Sequence, residues 1–150
     1  APLDTESTVT NTATLSGAGL TTPVQAASTV NARAAAYLTI GKAVSPATVA
    51  ENGTLTYTFT IQNYGNTAAA ETDNVTVSDT FSPILKAISV TYNGVAWTEG
   101  TQYTYNAATG AFATTAGQIT VPAASLTRDA ATGAVVDTPG ISTLTVTGTV

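Results

Sequence analysis

The stretch GTLTYTFTIQN, residues 53–63, places Leu55, Tyr57, Phe59 and Ile61 at alternate positions with Thr54, Thr56, Thr58 and Thr60 between them. A period of two belongs to an extended strand, whose successive side chains point to opposite faces, and does not fit the 3.6-residue turn of a helix. The segment must therefore lay one face on a core and turn its threonines to the other. Threonine is β-branched and suits such a pleated, half-buried surface. The same alternation recurs in NVTVSDTF, AISVTYNG, TQYTYN, GAFAT, GQITVP and STLTVTGTV. Turn signals separate these runs at Asn52-Gly53, at NYGN over residues 63–66, and at Ser82-Pro83, Asn93-Gly94, Thr109-Gly110, Thr132-Gly133 and Pro139-Gly140. In such turns Gly, Pro and Asn supply the backbone angles that a reversal needs. No segment carries helical periodicity. Many short strands at this spacing predict an all-β, immunoglobulin-like antiparallel β-sandwich. Leu55, Tyr57, Phe59, Ile61, Val75, Val77, Leu144 and Val146, by their shared parity within separate strands, are the expected core.

Composition narrows the function classes. With 150 residues and 43% hydrophobic content the chain can bury one good core. Charged residues make up 9% and the net charge is −5, so no basic footprint for nucleic acid is present. The chain has no histidine and no cysteine, which removes the usual general base, the thiol nucleophile and the soft metal ligands. No glycine-rich phosphate loop or GxSxG elbow occurs either, so the chain is expected to be no enzyme and to use no cofactor. Glu71, Asp73, Asp129 and Asp137 lack the regular spacing of a calcium loop, and no metal site is expected. No apolar run approaches the roughly 20 residues that cross a bilayer, so no membrane insertion is expected within this segment. The absence of cysteine and methionine suits an exposed extracellular location.

The two ends of the chain do not match. STLTVTGTV stops mid-sheet, whereas APLDTESTVTNTATLSG opens with a turn followed by a strand, and joined tail to head the two make a hairpin. A second strand, PVQAASTVNARA, leads into LTIGKAV, which has the character of a first strand. Residues 1–36 therefore read as the closing strands of a preceding or strand-receiving module, and residues 37–150 as a sandwich module lacking its own closing strands. This makes the chain one period of a tandem or strand-sharing array. The expected partners are copies of itself, in a continuous chain by preference because Val150 followed by Ala1 makes a hairpin. The competing reading is an extra hairpin packed on its own domain.

LTIGKAV adds an anomaly. Leu38, Ile40 and Val44 share one face with Lys42, one of only four basic residues. The same alternation puts Asp79 with Val75, Val77 and Phe81, and Asn11 with Val9, Ala13 and Leu15. An unpaired charge in a core costs several kcal/mol, so three polar residues on inward faces ask for a mutual explanation. Spontaneous isopeptide chemistry is one: apolar surroundings favour a neutral, nucleophilic amine and a protonated carboxyl, which polarises an asparagine amide, and attack expels ammonia. Lys42, Asp79 and Asn11 are the candidates. In the alternative, Lys42 snorkels past the sheet edge, Asp79 caps a turn and Asn11 bonds to backbone.

The runs LTIGKAVSPATVAENGTLTYTFTIQNYGNTAA, VTVSDTF, VTYNGVAWTEGTQYTYNAATGAF and VTNTATLSG resemble the conserved-repeat family called domain of unknown function 11. Its members are threonine-rich immunoglobulin-like modules, often in tandem, in secreted and surface proteins of bacteria. The resemblance implies a structural repeat or subunit of an extracellular bacterial surface fibre, stalk or adhesin, and similarity to Gram-positive surface domains with Lys-to-Asn crosslinks supports the isopeptide reading. The Asn partner of Lys42 would then lie beyond Val150, so that Asn11 serves the preceding module or another copy.

A different function, glycan or ligand binding, would rest on Trp97, Tyr103 and Tyr105 as an exposed stacking platform. Ordinary cross-strand packing is the competing account of those rings.

Overall fold

The computed structural model describes residues 7–150, so the turn expected over the first residues lies outside the described residues. The fold is all-β. Among the described residues twelve strands run in the order β1 (Ser7–Leu15), β2 (Val24–Ala32), β3 (Leu38–Ser45), β4 (Thr54–Asn63), β5 (Ser78–Thr80), β6 (Lys86–Tyr92), β7 (Val95–Trp97), β8 (Tyr103–Asn106), β9 (Ala111–Thr114), β10 (Ser125–Arg128), β11 (Val135–Thr138) and β12 (Gly140–Thr149). A single 3-10 turn at Glu71–Asp73 is the only helical piece among the described residues. Every strand pairing within the sheets is antiparallel.

Two sheets make the sandwich, one of five strands in the order β3-β4-β12-β6-β7 and one of three in the order β5-β9-β8. The GTLTYTFTIQN stretch becomes β4, and its alternation becomes burial: Leu55, Tyr57, Phe59 and Ile61 are buried while the intervening threonines are not fully so. β12 lies between β4 and β6, with Leu144 opposite Phe59 and Tyr92, and Val146 opposite Tyr57 and Val90. Across the core, Tyr57 stacks on Phe81 with ring centroids 4.8 Å apart, and Phe81 leans on Phe112 at 5.7 Å. Of the eight expected core residues, seven are buried and Val75 packs at the margin of the cluster. Val75 is less covered because it lies where the smaller sheet ends.

Asn63 closes the module at the end of β4. Its side chain is fully buried. Its Oδ1 accepts from the Tyr37 and Gly65 amides at 2.9 Å each, and its Nδ2 donates to the carbonyls of Thr67 at 2.8 Å and Pro122 at 3.0 Å. All the main hydrogen-bonding capacity of the amide is thus used, as burial requires. Asn66 extends the clamp, its Oδ1 accepting from the Ala35 amide and its Nδ2 donating to the Arg33 carbonyl. Gly65 lets the chain pass there, since a Cβ at that position would stand 2.1 Å from the Ala35 carbonyl oxygen. The linker between β2 and β3 is therefore stitched to the β4 turn. At the other side of the core the Tyr92 hydroxyl donates to the Thr120 carbonyl at 2.7 Å, and burial, opposed by its hydrogen bonds, raises its pKa above the ordinary tyrosine value.

Two hairpins stand outside the sandwich, β1–β2 and β10–β11, each a two-stranded sheet of its own. An isolated hairpin is marginal in water, so a face that stays uncovered asks for a partner.

Candidate functional site

The inner face of β3 is unfinished. In register with β4, Ile40 lies opposite Ile61, Lys42 opposite Phe59 and Val44 opposite Tyr57, so these β3 residues share the face that β4 turns to the core. Yet Ile40 is 56% exposed and Val44 46%. The physical reason is strand count. The smaller sheet has three strands against five, and its last strand on this side is β5, whose outer edge is unpaired among the described residues. Between β3 and the segment Val75–Asp79 runs an open groove made of two adjoining hollows of about 170 and 190 Å³. Leu38, Ile40, Ile61, Val75 and Val77 line the first, and Ile40, Lys42, Phe59, Val77 and Asp79 line the second.

Lys42 and Asp79 meet in this groove. Nζ of Lys42 forms an ion pair with Oδ2 of Asp79. The ammonium also lies 4.8 Å from the Tyr57 ring centroid and 5.7 Å from those of Phe59 and Phe81, which attract it through their π-faces. Asp79 Oδ1 accepts from the Thr80 amide at 2.8 Å, and the Lys42 ammonium is the partner of the buried Oδ2. The lysine side chain stays 43% accessible and the aspartate 19%, so the pair looks out through the mouth of the groove. An ion pair held among aromatic rings is a weak source of stability, because desolvation offsets much of its attraction. The pair has the makings of a chemical site: an amine, a carboxyl in contact with it, and open space beside both.

Asn11, the third candidate, is not in this cluster. It sits in β1 opposite Ser28 of β2. The hairpin register sorts its residues into two unlike faces. Thr8, Thr10, Thr12, Thr14, Gln25, Thr29 and Asn31 share one, crossed by side-chain hydrogen bonds from Thr8 to Asn31, between Thr10 and Thr29, and from Gln25 to Thr14. Val9, Ala13, Leu15, Val24, Ala26 and Val30 share the other, with Asn11 and Ser28 at its middle. This second face is apolar and bare: Leu15 is 64% exposed and Val30 65%. The structure thus brings two of the three proposed crosslink residues together and leaves the third at the centre of an uncovered apolar surface on the same chain.

The three candidate stacking rings pack against the core to different depths, Tyr103 buried and Trp97 and Tyr105 half-buried. Tyr103 is buried at 4% exposure and packs on Phe112 with centroids 5.6 Å apart. Its pKa is raised first by burial and then by the Glu99 carboxylate. The Tyr105 hydroxyl donates to the Leu85 carbonyl at 2.7 Å and accepts from the Leu85 amide at 3.0 Å. Trp97 stacks on Tyr92 at 4.9 Å. All three rings are engaged in packing, because their parity along β7 and β8 turns them toward the core. Among the described residues no group of acidic side chains is arranged to hold a metal ion, and no helix is long and apolar enough to cross a membrane.

Sequence reasoning missed Ser28, which the register places beside Asn11, and the buried node at Asn63, which the sequence offered only as part of an NYGN turn. Comparison with protein-family models, with curated proteins and with solved structures returned no match.

Proposed function

We propose that the chain is a structural repeat or subunit of an extracellular bacterial surface fibre or stalk, built by self-association in which the β1–β2 hairpin of one copy completes the sandwich of the next. The observation that carries this reading is that one chain bears two unfinished surfaces: an apolar hairpin face without a core, and an apolar groove without a cover. Two strands added at the outer edge of β5 turn three strands into five, equal to the facing sheet. Main-chain pairing then gives affinity and the apolar face gives register, as in other strand additions. The completed unit is an immunoglobulin-like sandwich, in keeping with the resemblance in the sequence. The cysteine-free and methionine-free composition suits the extracellular setting. Whether copies follow one another in one polypeptide or as separate subunits, the local geometry is the same.

The hairpin of a given copy is held off its own groove. Its linker is pinned to the β4 turn through Ala35, Tyr37 and Arg33, and neither β1 nor β2 pairs with β3 or β5. This arrangement supports another copy as the partner. Negative-stain electron microscopy and sedimentation of the purified chain test this. Linear, concentration-dependent assemblies with a repeat of one module are expected; a monodisperse monomer at every concentration would refute the reading.

A further inference from the structure

Resting on that reading of the groove, we propose that assembly is made covalent: Lys42 of one copy forms an amide bond with Asn11 of the hairpin that fills its groove, with Asp79 as the proton carrier between them.

Three strands support it in the same way. Lys42 stands mid-strand in β3 between Ile40 and Val44, Asp79 mid-strand in β5 between Val77 and Phe81, and Asn11 mid-strand in β1 between Val9 and Ala13. Each interrupts an apolar face with one polar group, and each interruption is of a kind the others can use. When the apolar faces are brought together with their middles aligned, the three polar groups converge. With β1 of the incoming hairpin beside β5, Asn11 falls next to Asp79 at the spacing of neighbouring strands, about 4.8 Å. Lys42 already reaches Asp79, so its amine is within range of the Asn11 side chain. Docking on the outer edge of β3 instead would build seven strands against three and leave the inner face of β3 bare. Energetics also favour a lock. Covering Val9, Leu15, Val24, Val30, Ile40 and Val44 takes apolar surface out of water, and much of that gain is offset by the freedom lost on association. A single hairpin held by contacts alone is a reversible joint.

The step balances without any co-reactant. Within the ion pair one proton passes from Nζ of Lys42 to Oδ2 of Asp79, giving a neutral amine and a carboxylic acid. The acid donates to Oδ1 of Asn11 and draws charge from Cγ. Nζ attacks Cγ, the bond from Cγ to Nδ2 breaks, and Nδ2 leaves as ammonia after taking one proton. Of the three protons on the original ammonium, one stays on the new amide nitrogen, one completes the ammonia and one remains on Asp79. Nothing is oxidised or reduced. The hairpin excludes water from the groove, which suppresses competing hydrolysis of the Asn11 amide.

The test is denaturing gel electrophoresis and intact mass on assembled wild-type chain. A ladder of multimers that survives boiling in detergent is expected, lighter by one ammonia for each link, with a peptide containing Lys42 joined to one containing Asn11. Lys42→Arg, Asn11→Ser and Asp79→Ala should each abolish the ladder. Mixing the Lys42→Arg and Asn11→Ser chains should restore a single crosslinked dimer and nothing larger, since each supplies what the other lacks. That dimer also proves that both variants fold and dock. Assemblies visible by electron microscopy that fall apart to full-mass chains in detergent would overturn the crosslink and leave the fibre reading standing. A monomer lighter by one ammonia would overturn the link between copies, and a chain that never assembles would overturn both.

Discussion

Val30→Asp is expected to abolish assembly while leaving the sandwich folded. Val30 lies on the apolar face of the hairpin opposite Val9 and is 65% exposed. In the lone chain an aspartate there remains in water and costs little. In the filled groove the same carboxylate would lose its water without a partner, a penalty of several kcal/mol. A loss of about 3 kcal/mol is already about 100-fold in affinity. Thr29→Asp is the matched control, one residue away on the polar face, and should change assembly little. Sedimentation at matched concentrations reads the difference, and circular dichroism confirms that the strand signal is kept. Equal loss in both variants would mean that the hairpin acts through something other than its apolar face.

Asn63→Ala should destabilise the module by about 3 kcal/mol or more, as much as truncating a large core side chain. The substitution orphans two amides, Tyr37 and Gly65, and two carbonyls, Thr67 and Pro122. Each buried group left unmade costs about 1–3 kcal/mol, less where relaxation admits water. The consequence extends beyond stability, because Asn63 pins the linker that orients the hairpin. With a urea dependence of about 1–3 kcal/mol per molar for a small domain, the unfolding midpoint should fall by one molar or more. Asn63→Asp keeps the Oδ1 acceptor and turns the donor into an oxygen facing two carbonyls, so it should rescue little. A midpoint within a few tenths of a molar of wild type for Asn63→Ala would remove the node from the account.

Much of the fold was legible because a period of two is hard to satisfy in any other way. In β4 and β12 the alternation predicted burial residue by residue, since both strands are flanked on each side and have no choice of register. The placement of Lys42 with Asp79 was legible for the same reason: parity survives even where the exact strand ends do not. Exposure was not. Lys42 has the parity of a core residue but the accessibility of an edge residue, because the number of strands in the facing sheet is a tertiary fact that no single strand encodes. The depth of the aromatic side chains was hidden for a related reason. Of the candidates Trp97, Tyr103 and Tyr105, Tyr103 lies in the core and the other two are half-buried against it. The polar node at Asn63 was hidden because an asparagine followed by Tyr64, Gly65 and Asn66 reads as a turn, and only the approach of residues 35–37 and Pro122 turns it into a clamp.

Amide hydrogen exchange across a concentration series reads whether the groove between β3 and β5 is filled by the β1–β2 hairpin of another copy. In dilute chain, amides of Val24–Ala32 and Ser7–Leu15 are expected to exchange quickly, since each strand has an open edge and bare faces. On assembly, protection should appear together in three places, the hairpin, the inner margin of β3 and the segment Val75–Thr80, while β4 and β12 stay protected throughout. Protection that rises in the hairpin without any change at Val75–Thr80, or that is independent of concentration in both, would contradict the account.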